Sequence, residues 1–544
     1  MSNTGKKVLN IAIIGGGITG ASAAQHLINS QVGIEDSEMN VNVHLFDQGR
    51  RGVGGRSSHR HVHASELSTP SSLPSSSSSS SGLDSNDIST TKNSGAQMGW
   101  DHGCQFFRAD TERFRSIVED WIATGLVKEW KGKFTSSGSG NGIHECNSNS
   151  NINDNDSKFD FFGMPSKPPF YVGANGMQSI SKGILEQAMQ TTNTNARTIQ
   201  NNSKISKSKL QIFTGTRVAQ LDRDEATNKW KLLGTTGTAA FHDTTEKAMK
   251  KSLNAKNGGQ HYLGAAEGYD AIILTDVSSS FGKWHRASAG VPESFASRVR
   301  ERVNARVPLF TTMIAFENES GIPFDAATFL NNRTIWFASN SNSKPGMKMK
   351  LDEHEHEHGH KHEHEHEHGH LTKECWTLVS TPEYAMEKIA ETPMQDPKTG
   401  EFIPQSKEYL TTVPGPELTA AFSNEVTSTA GFLGKDALSS LPQIIHMDAQ
   451  RWGSALPCHR HLDESSITRK VISGVPYDSG RSPLAPTKKE ICRDEDENTF
   501  LMDEGLMLIQ AGDMMSTFTP GFESAAISGM DAAEYLMEKL ILRK

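Results

Sequence analysis

Apolar and polar positions are patterned most clearly at the start of the chain. Val8 to Ile14 is a near-continuous apolar run, the signature of a parallel strand buried on both faces. It stops at Gly15, and Gly17 and Gly20 follow at G-x-G-x-x-G spacing. A helix from about Ile18 to Ile28 comes next, with Ala24 and Leu27 continuing its inward face. Val41 to Phe46 then alternates as a second strand and ends in Asp47. Strand, glycine turn, helix and strand in this order predict the opening of a doubly wound α/β sheet.

Later segments follow the same two periods. Phe114, Ile117, Val118 and Trp121 have helical spacing within 113–130, with Trp130 after a break at Gly125. Ile180, Ile184, Leu185 and Ala188 share one face of a helix over 179–189. Residues 212–221 and 229–233 read as a strand pair around 224–228, and 269–275 as a buried strand returning to the first sheet. Strands at 311–316, 334–338 and 376–380 would build a second domain. A strand over 505–511 precedes a final helix to about Leu542, with Ile527, Met530, Ala533 and Leu540 inward.

Polar, low-complexity stretches separate these elements at 59–96, 135–160, 191–209, 340–371 and 476–498, with Ser75–Ser81 unbroken. Such segments bury too little apolar surface to offset their ordering entropy, so they read as disordered surface insertions. Without them roughly 400 residues remain, a two-domain size. The expected layout is α/β: a discontinuous Rossmann-like dinucleotide domain from 1–58, 97–110, 171–281 and 500–544. A second, α+β substrate domain takes 111–170 and 282–475.

The glycine spacing has a chemical reading. Gly15 permits the tight turn, Gly17 lets a pyrophosphate approach the backbone, and Gly20 lets helix and strand pack closely. The helix N-terminus then offers free N–H groups and its positive dipole end to phosphate. Asp47 stands where an acid accepts hydrogen bonds from ribose hydroxyls. It lies 27 residues beyond Gly20, past the usual ~20, and the polar loop 29–40 supplies the excess. Just downstream, Arg51-x-x-Gly54-Gly55-Arg56-Ser57 is either a solvated basic loop or a second phosphate-facing turn.

Placed directly after the ribose acid, that diglycine segment resembles the second glycine motif of the FAD-containing amine oxidase superfamily. The resemblance implies that Gly54 and Gly55 pass close to the flavin's phosphate and ribityl chain while Arg51 or Arg56 adds charge to the diphosphate. Gly99-Trp100-Asp101-His102-Gly103-Cys104-Gln105-Phe106-Phe107 resembles a segment of the renalase-like branch that runs beside the flavin ring, Gln105 included. Asp101 and His102 read either as an acid/base pair or as groups that only fix the loop. Cys104, where that branch has alanine, reads as a packing residue.

Other pieces resemble the same family. Tyr171 to Met177 matches a glycine turn before a helix, and Val218 would set its backbone against the adenine. Gln450 to Pro457 resembles a segment at the substrate face of the flavin. There Trp452 would stack on a flat substrate with Arg451 supplying charge, or else belong to the core. Gly512-Asp513 and Glu523-Ser524-Ala525 resemble the superfamily's closing element. In it the Asp holds the ribityl chain and the helix N-terminus faces the pyrimidine side of the flavin.

The resemblance therefore implies a renalase-like FAD-dependent oxidoreductase. A hydride would pass from a small substrate to flavin N5, with reoxidation by O2 giving H2O2. The donor is a reduced pyridine nucleotide or, alternatively, a primary or secondary amine; a non-catalytic flavin-binding protein is the rival from another class. No second strand-linked G-x-G-x-x-G supports a separate nicotinamide domain.

Charge and cysteine content narrow the partners. A formal net charge of −9 argues against nucleic acid. The five cysteines are far apart with no C-x-x-C pair, which speaks for reduced thiols in a cytoplasmic setting and against a flavin disulfide reductase. The N-terminus shows no apolar signal segment, and no run approaches the ~20 residues of a membrane span. Nine histidines alternate with acids from His354 to His370. So dense a run binds Zn, Cu or Ni weakly, but it defines no ligand geometry and reads as an incidental loop, so no metal centre is expected.

Overall fold

The computed structural model describes residues 7–30, 39–49, 52–63, 97–137, 143–146, 160–161, 164–165, 169–198, 208–236, 261–281, 290–303, 306–347, 373–393, 403, 405–457, 499–516 and 521–542. Strand β1 (Lys7–Ile14) leads through the glycine turn into helix α1 (Ile18–Asn29) and then strand β2 (Met39–Phe46). β1 lies between β2 and Ala271–Leu274, parallel to both. The sheet continues outward through Lys209–Phe213 beside β2, and through Leu508–Gln510 and then Leu501–Asp503 on the other side. Only Leu501–Asp503 runs antiparallel.

Two apolar clusters explain why β1 reads as an unbroken apolar run. Leu9, Ile11 and Ile13 pack with α1 and the terminal helix Phe522–Leu542 on one face. Ala12 packs with Phe46, Trp230 and Tyr269 on the other. A strand covered on both faces has no solvent side to mark with polar residues.

The second layer is a seven-stranded sheet ordered Ile444–Pro457, Arg306–Phe316, Glu374–Ser380, Ile335–Asn340, Ala326–Thr328, Phe134–Ser137 and Ile143–Cys146. All three strands expected between 311 and 380 belong to it. Its far face is filled by Phe310, Ile314, Trp376, Leu418 and Phe422. Between the two sheets lies the antiparallel pair β3 (His59–His63) and β4 (Gln97–Asp101), with His59 opposite Asp101. Helices α2 (Glu112–Ala123) and α3 (Gln178–Thr198) pack against the dinucleotide layer. Among the described residues no helix is long and apolar enough to cross a membrane.

Three sequence expectations change. The stretch 212–221 is two strands, because Gly215 turns at φ +58°. Lys209–Phe213 joins the parallel sheet, and Thr216–Asp224 pairs with Lys229–Thr236 instead. The strand expected over 505–511 is confined to Leu508–Gln510, because residues 504–507 turn and Met507 sits at φ +51°. The polar insertions also begin or end later than composition suggests. β3 occupies 59–63, α3 extends to Thr198, and a 3-10 turn, Ser341–Ser343, follows Asn340. Partner strands and packed helices order those polar residues, which composition cannot register.

Candidate functional site

The first βα turn is built as its glycines demand. Gly15 takes φ +110°, and a Cβ on it would meet Thr275 Oγ1 at 2.1 Å. A Cβ on Gly20 would stand 2.0 Å from the carbonyl of Gly15, so α1 can rise beside β1 only with hydrogen there. Gly17 begins α1 without a capping side chain, and the first turn carries no acid. Its N–H groups and positive dipole end are thus left to an anion.

The diglycine segment folds over the same point. A Cβ on Gly17 would be 3.7 Å from the Gly54 carbonyl and 3.9 Å from Gly55 Cα. Gly54 and Gly55 have φ +150° and +55°. Gln178, at the start of α3, steadies the loop by donating to the Val53 carbonyl at 2.6 Å and accepting from the His59 N–H at 3.3 Å. Arg51 and the run His354–His370 lie outside the described residues. Among the described residues no group of three or more His, Cys, Asp or Glu could hold a metal ion.

Asp47 sits at the end of β2, buried, and accepts from the N–H of Gly16 and of Gly49, each at 2.6 Å. Burial pushes its carboxyl up and those two N–H groups pull it back. Each oxygen keeps a lone pair for a hydroxyl donor. Val218 is buried beside this corner, because the turn before its strand is tied to it: Gly215 N–H donates to the Gly49 carbonyl and Thr216 N–H to that of Asp47. Two glycine cradles, an open helix terminus and an acid with spare acceptors fit an adenine dinucleotide.

Arg56 and Asp513 meet from opposite ends of the chain. Arg56 Nη1 and Nη2 both donate to the Asp513 carboxylate, Nη1 at 2.8 Å, and Nη1 also reaches the Ala455 carbonyl at 3.0 Å. This two-pronged pair holds the diglycine loop against the Gly512 turn. Gly512 is itself fixed at φ +129° by its N–H donating to Ser528 Oγ at 2.8 Å. These bonds leave Arg56 with further N–H groups and each Asp513 oxygen with a lone pair, so the pair keeps capacity for a ligand.

The Glu523 carboxylate is engaged within the protein. Its carboxylate accepts from the N–H groups of Asp110 and Thr111 at 2.7 and 3.0 Å, and from Thr111 Oγ1 at 2.6 Å. It thereby braces Thr111, whose hydroxyl caps α2 by accepting from the Phe114 N–H. Ser524 and Ala525 are buried beside it in the first turn of the terminal helix.

Residues 101–105 close the site from the side of the second sheet. A Cβ on Gly103 would collide with the Arg56 carbonyl at 2.0 Å, and Cys104 N–H donates to that carbonyl at 2.7 Å. Cys104 is half-buried, its thiol donates to the Phe106 carbonyl at 3.3 Å, and burial pushes that thiol up to about 12. The His102 ring stacks on Trp452 with centroids 5.4 Å apart and planes 19° apart. Trp452 Nε1 donates to the His102 carbonyl at 3.0 Å and to Thr311 Oγ1 at 3.2 Å. His102 Nε2 meets Ser58 Oγ at 3.2 Å, while Nδ1 is buried without a hydrogen-bond partner. Burial, aided by nearby Arg60, pulls this imidazole down to about 3, so it is neutral. Arg451, next along the strand, points to the opposite face and donates to the Ile403 carbonyl at 2.8 Å, as strand alternation requires. It therefore does not share a face with Trp452.

Asp101 is not the exposed acid of an acid/base pair. It is fully buried, and its Oδ1 meets His59 Nδ1 at 2.9 Å and Met177 N–H at 2.8 Å. Its Oδ2 faces Lys344 Nζ at 3.2 Å. Lys344, together with the hydrogen bonds from His59 and Met177, holds the carboxyl well below the usual range against the opposing effect of burial. Gln105 is likewise committed inside the protein. Its amide donates to the carbonyls of Asp101 and Gly103 at 2.5 and 3.0 Å and accepts from Ser339 Oγ and Lys344 Nζ at 2.8 and 3.2 Å. No donor or acceptor atom of that amide is left for a cofactor to engage first.

His59, Gln178 and Lys344 escaped the sequence reading. His59 and Lys344 fall at the edges of polar stretches, where composition hides single residues. The signals available were the Pro345-Gly346 turn and the position of Gln178 just past a glycine turn.

A model of an NAD(P)-binding Rossmann-like domain matches residues 13–80. Among solved structures, the chain is similar to an oxidoreductase from Methanosarcina mazei at 11% identity and TM-score 0.42, over 97% of this chain and 100% of that one. It is similar to cyclohexylamine oxidase from Brevibacterium oxydans at 11% and 0.43, over 98% and 99%. It is similar to a Rab GDI from Plasmodium falciparum at 9% and 0.36, over 82% and 89%. Likeness this distant carries no argument about chemistry. What stands is an α/β fold whose first turn is that of a Rossmann-like dinucleotide domain.

Proposed function

We propose that the protein is an FAD-dependent oxidoreductase. The observation that carries this reading is the convergence of Gly17, Gly54–Gly55 and the Gly512–Asp513 turn around Arg56. One glycine turn would serve any dinucleotide; three chain segments enclosing one line suit a longer cofactor with a flavin at its far end. FAD would be held by Gly15, Gly17, Gly20 and Asp47 at its adenosine and phosphates, and by Gly54, Gly55, Arg56 and Asp513 further along. When bound, it supplies a two-electron acceptor that takes a hydride at N5 and returns the electrons to O2 as H2O2.

The chain's own contribution is to bind, orient and exclude water. Trp452 and His102 form a flat, uncharged wall next to Gly103, suited to a planar substrate such as a reduced nicotinamide ring. A primary or secondary amine is the second reading. Asp101, the carboxylate next to His102 in the chain, is sealed behind that wall and does not reach an ammonium there. That favours the neutral, planar donor.

The test is an anaerobic screen of the purified protein with NADH, NADPH and a panel of amines, followed by flavin absorbance. Bleaching by a dihydronicotinamide is expected. Bleaching by amines alone overturns the donor assignment, and unchanged absorbance with every donor supports a non-catalytic flavin protein. Material that is colourless and cannot be reconstituted with FAD ends the reading.

A further inference from the structure

We infer that the buried Lys344–Asp101 ion pair is a positioning and charge-balancing device for the flavin-facing loop 101–105. This rests on the flavin reading above. Both side chains are fully buried, with Nζ 3.2 Å from Oδ2. Lys344 Nζ also donates to Gln105 Oε1 at 3.2 Å and lies 5.4 Å from the centre of the Trp130 ring. Asp101 takes two further hydrogen bonds, from His59 and Met177. Every face of the pair is therefore occupied by protein.

Burying two opposite charges is a poor way to hold two sheets together. Desolvation costs several kcal/mol per ion, and well-packed apolar groups of the same volume do as well or better. The backbone is nonetheless shaped to deliver this lysine. Gly346 takes φ +79° and is pressed so tightly on the backbone of Ala174 that a Cβ would stand 1.7 Å from the Ala174 carbonyl. Ser343 Oγ accepts from Trp130 Nε1 at 3.1 Å. The turn 341–347 thus drives a cation from the second sheet into the base of the loop that leaves β4.

The pair reaches the site through one loop. Asp101 and Gln105 are its two ends, and Gln105 stitches them by donating to the Asp101 and Gly103 carbonyls. Gly103 and Cys104 rest on the Arg56 backbone, and His102 stacks on Trp452. Removing either charge leaves the other uncompensated in a low-dielectric interior behind that loop. An excess anion there opposes the negative charge that reduction brings to a flavin, and an excess cation favours it.

The experiment compares wild type, Lys344→Met, Asp101→Asn and the double variant as FAD-loaded proteins. Flavin potential is read by dithionite titration against an indicator dye, so no substrate is needed. Lys344→Met is expected to disfavour reduction and Asp101→Asn to favour it, each by about tenfold in the equilibrium, or about 30 mV for a two-electron couple. The double variant returns toward wild type. Shifts of the same sign in both single variants, or none in either, overturn the proposal, because a purely structural pair moves stability and not the sign of a potential. If one single variant fails to accumulate, the sign seen in the other decides.

Hydrogen exchange over residues 101–105 in the apoprotein supplies a readout free of the cofactor. Faster exchange in each single variant, with recovery in the double, is expected; unchanged exchange refutes the clamp. Colourless protein with the expected exchange pattern defeats the flavin reading alone.

Discussion

The glycine-lined turn around β1 and the loop 101–105 solve opposite problems. The first removes atoms: Gly15, Gly17 and Gly20 lack side chains so that backbone and ligand can approach. The second adds charge to the interior, with Asp101, Lys344, His59 and Gln105 packed into one hydrogen-bonded network. A site made by subtraction leaves a trace in sequence, because hydrogen is the only side chain that fits. A site made by long-range pairing leaves almost none, since Asp101 and Lys344 stand 243 residues apart.

That contrast can be broken most forcefully at Gly20. A valine there places Cβ 2.0 Å from the Gly15 carbonyl, and backbone must move to admit it. Loss of about 3 kcal/mol or more, with no retained flavin, is expected on overpacking grounds. Chemical denaturation and the visible absorbance of the purified variant check it, and a yellow protein of normal stability would deny that the turn is sterically closed.

Arg56→Met attacks the junction between the two regions. Asp513 is then a buried carboxylate without its two-pronged partner, a loss of about 2–3 kcal/mol for hydrogen bonds to a charged group. The dissociation constant for FAD should rise together with the fall in stability. Weaker FAD binding at unchanged stability would assign Arg56 to the ligand instead of to Asp513.

His102 makes the loop's dry interior measurable as a pH effect. Its folded value near 3 lies below its unfolded 6.5, so between those limits the unfolded chain binds more protons. Stability therefore rises with pH through that window and is lost on acidification below 6.5, at up to about 1.4 kcal/mol per pH unit. His102→Gln should flatten the limb between pH 6.5 and 5 by about 2 kcal/mol. Urea unfolding at the two pH values reports it, and an unchanged slope would mean that His102 charges freely in the fold.

Glu523→Ala carries the smallest expected effect. Loss of its brace on Thr111, the cap of α2, is worth about 1 kcal/mol, and flavin content should not change because the carboxylate is bound to Asp110 and Thr111. A colourless variant would return Glu523 to the cofactor.

The same division describes how far the sequence could be read. The parallel sheet, α1, the terminal helix and the diglycine turn were legible because each shows a period or a steric demand within a short window. Asp101 and Gln105 were legible as special residues but not by role, since role depends on Lys344 and Ser339 arriving from another sheet. The partners of the Glu523 carboxylate were not legible, because its position in the terminal helix is a sequence fact while its donors, Asp110 and Thr111, are a tertiary one. The break at Gly215 carried a signal, a lone glycine between two strand-like runs, that strand periodicity alone overrides.

The clasp between Arg56 and Asp513 has a consequence for biogenesis. On the ribosome, the opening strand and its glycine turn emerge long before the aspartate that locks them, so the early half of the nucleotide cradle must wait, unfastened, while more than four hundred codons are read. Closure of that cradle is in that sense a terminal event of translation, and a chain cut short ahead of Asp513 would display its fingerprint motif yet lack the carboxylate that pairs with Arg56.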